Sequence, residues 1–345
     1  MNNSDDKRAM FGALRKARSV TACCGLLGIE KRQLELLARQ PRYKVFHVPK
    51  NRDGLRLIED PSPPLKKIQS ALNAYLQSAY YFEKSHASHG FVVNVRDDDD
   101  RRNILSNARR HLRNPWLFQL DLADFFHYVT ADMVRRVFRD PPLCFSDDLC
   151  DLLAAVCTYQ GRLPMGAPSS PVLSNLACRD LDDQLLELAA AKFWVYTRYA
   201  DDFSFSASRA FSADDQYAIR AIIREQGFEI NEEKLRLAGP TDEKIVTGIL
   251  LRGKGELKPG FMQEIEKEVE RLAAVVEAQN YQGELHTPWV EKMKQQLRGK
   301  IAFAGFVLGV RHNDYIRVKD AYYVAITPPE EDFGAVSWRG FHYLH

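Results

Sequence analysis

Residues 193–208 read FWVYTRYADDFSFSAS, two β-rich runs around a short turn. This pattern predicts a β-hairpin with Asp201 and Asp202 at its tip. A second stretch, WLFQLDLADFF at residues 116–126, is the strongest candidate for a buried strand, and Asp121 lies inside its apolar run. A carboxylate in an apolar strand is costly to desolvate unless a partner accompanies it. The two stretches therefore contain three carboxylates that need partners.

A divalent cation would satisfy all three. Adjacent Asp201 and Asp202 repel each other, whereas hard oxygen ligands suit Mg²⁺, whose charge keeps the acids ionised. Two ions about 3.5–4 Å apart would stabilise the attacking and leaving oxygens of an in-line phosphoryl displacement. Taken alone, an Asp-Asp pair is more often an ordinary hairpin turn, and Asp121 could be a strand-end cap. The surrounding sequence has to decide between these interpretations.

These two stretches and two others contain four motifs that occur in the order found in the palm of reverse transcriptases. YADD at 199–202 resembles the signature turn, and DLADFF at 121–126 resembles the preceding metal-binding strand. LPMGAPSSPVLSNL at 163–176 resembles the loop and helix that support template and nucleotide, and GFEINEEKLRL at 227–237 resembles the downstream palm motif. The resemblance implies an α+β right-hand polymerase fold, with fingers, a palm made of an antiparallel sheet plus helices, and an α-helical thumb.

The same resemblance implies a domain organisation. A composition shift near residues 253–260 is the best boundary, because it contains Gly253, Gly255, Pro259 and Gly260. The expected parts are an N-terminal helical extension (1–40), fingers (41–115), a palm (116–252) with a fingers insertion at about 127–165, and a helical thumb with a short C-terminal tail (253–345).

Local patterns predict the main elements. Alternation on both sides of the turn at 51–54 predicts a hairpin at about 45–58. The buried strand is expected to run to residue 126. Helical spacing predicts helical structure over 4–40 and helices at 65–82, 103–112, 131–138, 146–159, 172–188, 216–226, 262–278 and 290–310.

The resemblance also assigns catalytic roles to individual residues. Asp121, Asp201 and Asp202 would bind two Mg²⁺ ions, with the Leu122 carbonyl as a further ligand. Lys234 would protonate the leaving pyrophosphate, although an ordinary surface salt bridge is the alternative for this lysine.

Nucleotide binding is assigned in the same way. Phe126 matches the aromatic steric gate that lies under the sugar and disfavours a 2′-hydroxyl, although a plain core phenylalanine is the alternative. Arg56 matches the fingers residue that clamps the triphosphate, a bidentate task that suits guanidinium, and Lys50 is a second candidate. Gly166 shapes the supporting loop. Met165 stands where the family usually has Gln, so a hydrogen bond from that side chain is lost.

Two short motifs narrow the family. Residues 107–111, NARRH, fit the NAxxH motif that precedes the first metal strand in bacterial retron reverse transcriptases, and residues 246–248 fit their VTG motif. Membership implies a cognate structured non-coding RNA, priming from the 2′-hydroxyl of a guanosine, a branched RNA–DNA product, deoxynucleoside triphosphates as substrates, and antiphage defence with an effector protein. A group II intron-like or other defence-associated enzyme, and an RNA-binding scaffold on a decayed polymerase fold, are the alternatives.

The charge distribution is compatible with a nucleic-acid partner. Residues 1–120 carry 22 Lys and Arg against 12 Asp and Glu, whereas residues 121–260 carry 16 against 22. Basic residues cluster before the palm (Arg101, Arg102, Arg109, Arg110, Arg113) and in the expected thumb (Lys292, Lys294, Arg298, Lys300, beside Trp289). Solvated helix faces would give the same sums. The residues expected to bind RNA are Asn107, Arg110, His111, Val246, Thr247, Gly248 and Arg298.

Composition excludes several other classes. Apolar residues make up 45% of the chain, which argues against disorder. The six cysteines form no CxxC pair, so reduced, buried thiols are expected. No apolar run reaches the roughly 18 residues of a membrane span, and the first residues lack a secretory signal. We therefore expect a cytoplasmic protein without a membrane partner.

Overall fold

The computed structural model describes residues 3–49, 54–282 and 287–327, without the side chains of 279–282. The chain divides into two compact units, residues 1–247 and 248–345. The helices of the first unit are α1 (Ser4–Lys16), α2 (Val20–Leu27), α3 (Lys31–Arg39), α4 (Pro63–Glu83), α5 (Ile104–Arg109), α6 (Phe125–Tyr128), α7 (Ala131–Arg139), α8 (Asp147–Cys157), α9 (Ser170–Ala177), α10 (Arg179–Ala191) and α11 (Ala213–Glu225).

The strands of the first unit form two groups. β1 (Tyr43–Pro49) and β2 (Leu55–Pro61) make an antiparallel hairpin, in which Val48 lies opposite Arg56. An antiparallel sheet has the order β4-β5-β3-β6, built from β3 (Trp116–Asp121), β4 (Val195–Tyr199), β5 (Asp202–Ala207) and β6 (Arg236–Ala238). A single 3₁₀ turn, Glu232–Lys234, precedes β6, and β7 (Ile245–Val246) follows it.

Local sequence explains where several of these helices begin. The side chain of Asn103 accepts hydrogen bonds from backbone N–H groups in the first turn of α5. The Ser106 hydroxyl in turn accepts a hydrogen bond from the Asn103 N–H. Ser212 and Asp215 form the same reciprocal capping box at α11. Such caps satisfy backbone N–H groups that a helix start leaves unpaired. The polar positions ahead of the apolar runs therefore set the helix boundaries.

The core of the first unit lies between the sheet and the helices. Phe118, Phe203 and Phe205 are fully buried on the central strands, and Leu72 and Leu76 of α4 are fully buried with them. Burying a large apolar side chain contributes about 1.5–3 kcal/mol. This packing makes the sheet a rigid platform for the turn between β4 and β5.

The second unit is a helical bundle with its own core. It contains β8 (Ile249–Leu250), α12 (Phe261–Gln282), α13 (Pro288–Leu308) and α14 (Asn313–Ile326). Buried Ile265, Leu272 and Leu297 belong to this core. At Gly305 of α13, a Cβ atom would overlap the ring of Tyr315, so glycine permits the close approach of α14.

The α+β class, with an antiparallel sheet and a helical C-terminal unit, confirms the sequence prediction. Most predicted elements are present, and the domain boundaries drawn from the resemblance stay a prediction. The described cysteines form no disulfide, and five of the six are buried, Cys144 being exposed. No helix among the described residues is both long and apolar enough to cross a membrane.

Three local predictions were wrong. The strand from residue 116 ends at Asp121 instead of residue 126, because Asp124 adopts a left-handed conformation (φ 38°) and α6 begins. The helix expected over 172–188 is two helices that meet at Cys178. Helix α14 occupies a region where only a short tail was expected.

Candidate active site

The three predicted acids lie at one edge of the sheet. Asp121 ends β3 and Asp202 begins β5, and the two residues are direct partners in the antiparallel register. Asp201 precedes Asp202 in the turn, and its carbonyl accepts a hydrogen bond from the Leu122 N–H at 3.0 Å. Asp121 is buried, Asp201 half-buried and Asp202 exposed. The fold thus brings together residues separated by eighty positions in the chain.

The carboxyl groups perturb one another. Burial and the charge of Asp121 raise the pKa of Asp201. Asp202 is exposed as a residue, but the protein atoms around its carboxyl group remove part of its hydration. This desolvation, with the charges of Asp201 and Asp121, raises the pKa of Asp202 to about 7. Crowded acids resist ionisation because their charged forms repel each other and lose water. A cation at this position would remove that penalty.

Two basic residues partly compensate this charge. Nζ of Lys234 donates to Oδ2 of Asp121 at 2.9 Å. Burial lowers the pKa of Lys234, but this hydrogen bond and the nearby carboxylates outweigh it, so the pKa lies above its ordinary value. Arg56 is exposed on β2, and its positive charge offsets part of the rise in the pKa of Asp201. The β1–β2 hairpin therefore presents a cation to the acidic cluster, and the role of Arg56 as a triphosphate clamp stays a prediction.

The donor set fits a hard divalent cation. Carboxylate oxygens of Asp121, Asp201 and Asp202 are the ligand type that Mg²⁺ prefers, and the raised pKa values show that negative charge accumulates here. Across the described part of the chain, no group of three or more His, Cys, Asp or Glu side chains is arranged as a ready-made metal site. Lys234 instead occupies one oxygen of Asp121.

A buried ionic network, which sequence reasoning missed, contacts the turn between β4 and β5. The guanidinium of Arg198 is fully buried and binds both oxygens of Asp182 at 2.8 and 2.7 Å. It also donates to the Asn175 amide oxygen at 3.0 Å and to the Ala200 carbonyl at 3.2 Å. An arginine within a β-rich run was a weak signal of this network, since a buried arginine needs a partner.

The turn itself is held in a strained conformation. Ala200 has a φ of 57°, in the left-handed region that non-glycine residues rarely adopt. Gly90 lies so close that a Cβ atom there would be 2.6 Å from the Ala200 nitrogen. Backbone hydrogen bonds from Arg198 to Ala87 and from His89 to Arg198 fix the neighbouring segment. Strain of this kind persists only where the surroundings over-determine it.

Three of the four predicted nucleotide-binding residues, Arg56, Phe126 and Gly166, are among the described residues. Phe126 on α6 is half-buried, with its ring centroid 5.5 Å from that of buried Phe125. Gly166 has a φ of 137°, and a Cβ atom there would be 2.8 Å from the Glu59 carbonyl. Lys50 lies outside the described residues.

Glu59 joins the fingers hairpin to the supporting loop. Its buried carboxylate accepts two hydrogen bonds from Arg162, each at 3.0 Å, and one from the Met165 N–H at 3.2 Å. In return the Glu59 N–H donates to the Met165 carbonyl at 2.8 Å. The hydrogen bonds between Met165 and Glu59 thus use only the Met165 backbone, so they do not depend on whether its side chain is Met or the usual Gln.

The NAxxH residues have structural contacts. His111 is fully buried and its ring nitrogens lie 2.7 Å from the hydroxyls of Ser206 and Thr197. Burial, together with the charge of Arg110, lowers the pKa of His111 to about 3. Asn107 is also buried. Their burial argues against the direct RNA contact expected of Asn107 and His111, whereas Arg110 is exposed and stays a candidate.

The remaining RNA-binding predictions have different surroundings. Val246 is buried, and the Thr247 hydroxyl donates to the Ile104 carbonyl at 2.8 Å. Gly248 is exposed, with a φ of 81°, and Arg298 is exposed on α13. These assignments stay predictions.

Not every residue of the basic clusters is available to a polyanion. Arg102 is buried and binds Asp100, and Lys300 binds Glu264 and Glu268. Arg101, Arg109, Arg113 and Lys292 are exposed, as is Trp289.

The comparison with known families agrees with this geometry. Residues 48–251, more than half of the chain, match the family described as "Reverse transcriptase (RNA-dependent DNA polymerase)". The chain belongs to the reverse transcriptase family. This reverse transcriptase is an RNA-directed DNA polymerase with the right-hand polymerase fold, and enzymes of its family use divalent metal ions.

Curated relatives specify the type. The retron Ec86 reverse transcriptase of Escherichia coli is 32% identical over 249 residues, 70% of this chain and 72% of the relative. The retron Ec83 enzyme of the same organism is 29% identical over 239 residues, 65% and 74% of the two chains. The retron Mx65 enzyme of Myxococcus xanthus is 33% identical over 230 residues, 61% and 51%. This reverse transcriptase is therefore of the bacterial retron type, as predicted.

Proposed function

We propose that this reverse transcriptase copies part of its own structured non-coding RNA into DNA by two-metal phosphoryl transfer. The primer hydroxyl oxygen forms a bond to the α-phosphorus of a deoxynucleoside triphosphate, the bond to pyrophosphate breaks, and the hydroxyl proton is lost. The observation that carries the proposal is the pairing of Asp121 with Asp202, beside Asp201, at the edge of a buried sheet.

Each acid has a role in this reaction. Asp121, Asp201 and Asp202, with the Leu122 carbonyl, would bind two Mg²⁺ ions, which when bound activate the attacking oxygen and neutralise the leaving group. The raised pKa values of Asp201 and Asp202 support this assignment, because charge that is costly in the free protein is stabilised by a bound cation.

Other side chains orient the nucleotide. Arg56 would clamp the triphosphate, Lys234 would give a proton to the departing pyrophosphate, and Phe126 would exclude a 2′-hydroxyl by its volume. Gly166 keeps the supporting loop close to the Glu59 backbone, where a side chain does not fit. Lys50 is a second candidate for contact with phosphate.

The retron type supplies the remaining proposals. The RNA would be primed from the 2′-hydroxyl of a guanosine, which gives a branched RNA–DNA product, in the cytoplasm, as part of antiphage defence with an effector protein. The excess of basic residues in the first third of the chain and exposed Arg110 and Arg298 support RNA binding.

Substitution of one acid tests the catalytic assignment. Asp201→Ala should abolish DNA synthesis while it largely preserves RNA binding, because the turn lies on a rigid sheet. Asp99→Ala, which removes an exposed acid outside the site, is the matched control and should retain activity. Processive DNA synthesis by the Asp201 variant would overturn the metal assignment.

The nucleic acid that copurifies with the protein tests the retron proposal. We expect a DNA that shortens after ribonuclease treatment yet keeps a branched nucleotide. An unbranched DNA, or an intron RNA as the bound species, would favour the group II intron-like alternative.

A further inference from the structure

Phe91 is an aromatic residue in a conformation that aromatic residues rarely adopt. Its φ is 57°, in the left-handed region where the Cβ atom crowds the backbone. Conformations of this kind cluster at functional sites, where the surrounding structure holds them in place. Phe91 lies on the connection between α4 and α5, outside the short motifs on which the family resemblance was based.

Hydrogen bonds hold the backbone of Phe91 and of the residue before it. The Gly90 carbonyl accepts a hydrogen bond from the Asn175 amide at 2.9 Å, and the Phe91 carbonyl accepts one from Gln77 at 3.3 Å. Gly90 also touches the Ala200 backbone, with no room for a side chain. Phe91 is therefore positioned by these two hydrogen bonds and by the close approach of its neighbour Gly90 to the turn between β4 and β5.

The ring of Phe91 faces the predicted gate. Its centroid lies 5.9 Å from that of Phe126, with the planes tilted by 31°. Phe125 contacts Phe126 as well, at 5.5 Å, so Phe126 has an aromatic neighbour in two directions. Phe91 and Phe126 are both half-buried, whereas Phe125 is buried. Of these three residues, only Phe91 and Phe126 remain partly accessible to a ligand.

We propose that Phe91 is a specificity-determining residue that discriminates against ribonucleotides by preventing Phe126 from moving aside. This inference rests on the proposed function of Phe126 as the steric gate. Exclusion of one hydroxyl by volume requires a gate that cannot yield, because side chains readily occupy adjacent free space. Removal of the Phe91 ring creates such space, and the gate then admits the 2′-hydroxyl although Phe126 itself is intact.

The test compares Phe91→Ala, Phe126→Ala and the double variant by steady-state kcat/KM for a deoxynucleotide and for its ribonucleotide. We expect the ribonucleotide fraction to rise on the order of tenfold in Phe91→Ala and further in Phe126→Ala. The double variant should equal Phe126→Ala, because the two residues act through one contact. Tyr217→Ala, which truncates an exposed aromatic on α11, should keep the original ratio.

Phe91→Gly separates selectivity from folding. Glycine adopts a positive φ without cost, so this variant should unfold at a higher temperature than Phe91→Ala and yet show the same loss of discrimination. An unchanged ratio in Phe91→Ala and Phe91→Gly, with a relaxed ratio in Phe126→Ala, would overturn this inference and leave the gate in place. An unchanged ratio in Phe126→Ala would overturn the gate and, with it, the role of Phe91.

Discussion

Arg198 and Asp182 form a fully buried ion pair next to the turn between β4 and β5, with two hydrogen bonds between guanidinium and carboxylate at 2.8 and 2.7 Å. Such a pair is a poor means of stabilising a core, since its desolvation cost rivals its Coulombic gain. The same guanidinium, however, donates to the carbonyl of strained Ala200. We infer that the pair positions the turn that carries Asp201 and Asp202.

Replacement of the ionic network by apolar side chains should separate stability from activity. Because the Tyr196 hydroxyl also donates to Asp182, the variant combines Arg198→Met, Asp182→Leu and Tyr196→Phe. It should fold about as stably as the parent, since no buried charge remains unpaired. The value of kcat should fall on the order of 100-fold, because the turn loses a positioning contact. Urea unfolding and single-nucleotide extension measure the two effects.

Arg198→Met alone is the informative control. This substitution leaves the Asp182 carboxylate buried without its cationic partner and should cost about 3–5 kcal/mol of folding stability. A triple variant with the parent kcat would refute a positioning role and leave the pair a purely structural feature.

Acidification should raise the requirement for magnesium. The pKa of Asp202 is raised to about 7, so below that pH a cation must displace a proton from its carboxyl group. The Mg²⁺ concentration for half-maximal DNA synthesis should therefore increase from pH 8 to pH 6, approaching about tenfold per unit at the acidic end. Titrations of Mg²⁺ at constant ionic strength across this range measure it. A pH-independent requirement would contradict the assignment of Asp202 as a ligand.

Thermal unfolding supplies an independent check with a definite sign. The folded-state pKa of Asp202 exceeds the ordinary value of 3.8, so the metal-free protein loses stability from this group as pH rises from about 4 to 7. Mg²⁺ should offset that loss. The increase in Tm on addition of Mg²⁺ should consequently be larger at pH 8 than at pH 6.

The sequence predicted the acids and their strands because catalysis constrains short, contiguous motifs. YADD and DLADFF each place carboxylates beside apolar strand residues, and a period-2 pattern is visible in one sequence. Helix α9 could not be separated from α10 in the same way, since the apolar period continues through Cys178 while the backbone bends there. Tertiary packing therefore determines the break at Cys178, and the apolar pattern of the sequence does not reveal it.

The contacts that support the site were beyond a sequence-based prediction for a related reason. Phe91 and Phe126 are thirty-five positions apart, and Arg198 meets Asp182 and Asn175 only after three segments have packed. His111 shows the converse error. The sequence assigned this side chain to RNA binding, but a histidine bonded to Ser206 inside the core has no access to RNA.

Acid should destabilise the folded protein through buried histidine. Burial, with the charge of Arg110, lowers the pKa of His111 from 6.5 to about 3, so the unfolded chain binds a proton that the folded chain does not. Stability should fall as pH decreases through 6.5, by about 2 kcal/mol for this residue between pH 7 and pH 5. His89, whose pKa burial and Arg102 lower to about 3, should add a similar amount.

Denaturant unfolding at several pH values measures this dependence. Compared with the parent, His111→Gln should lose about 2 kcal/mol less stability between pH 7 and pH 5, whatever its effect on stability at pH 7. One buried histidine is gone, whereas the opposite contribution of Asp202 is the same in both proteins. His47→Gln, at an exposed position, is the matched control variant. Equal slopes in the parent and in His111→Gln would show that His111 is protonated in the folded state.

Lys234 should have opposite effects on metal binding and on turnover. Its ammonium group lies 2.9 Å from the Asp121 carboxylate and competes there with a cation. Lys234→Gln removes that competitor, so half-maximal activity should need less Mg²⁺. At saturating Mg²⁺, kcat should nevertheless fall roughly 100-fold, the scale of a lost general acid. Lys258→Gln, an exposed lysine outside the site, is the control. If the lysine only held Asp121, turnover at saturating Mg²⁺ would match the parent, and its assignment as proton donor would fail.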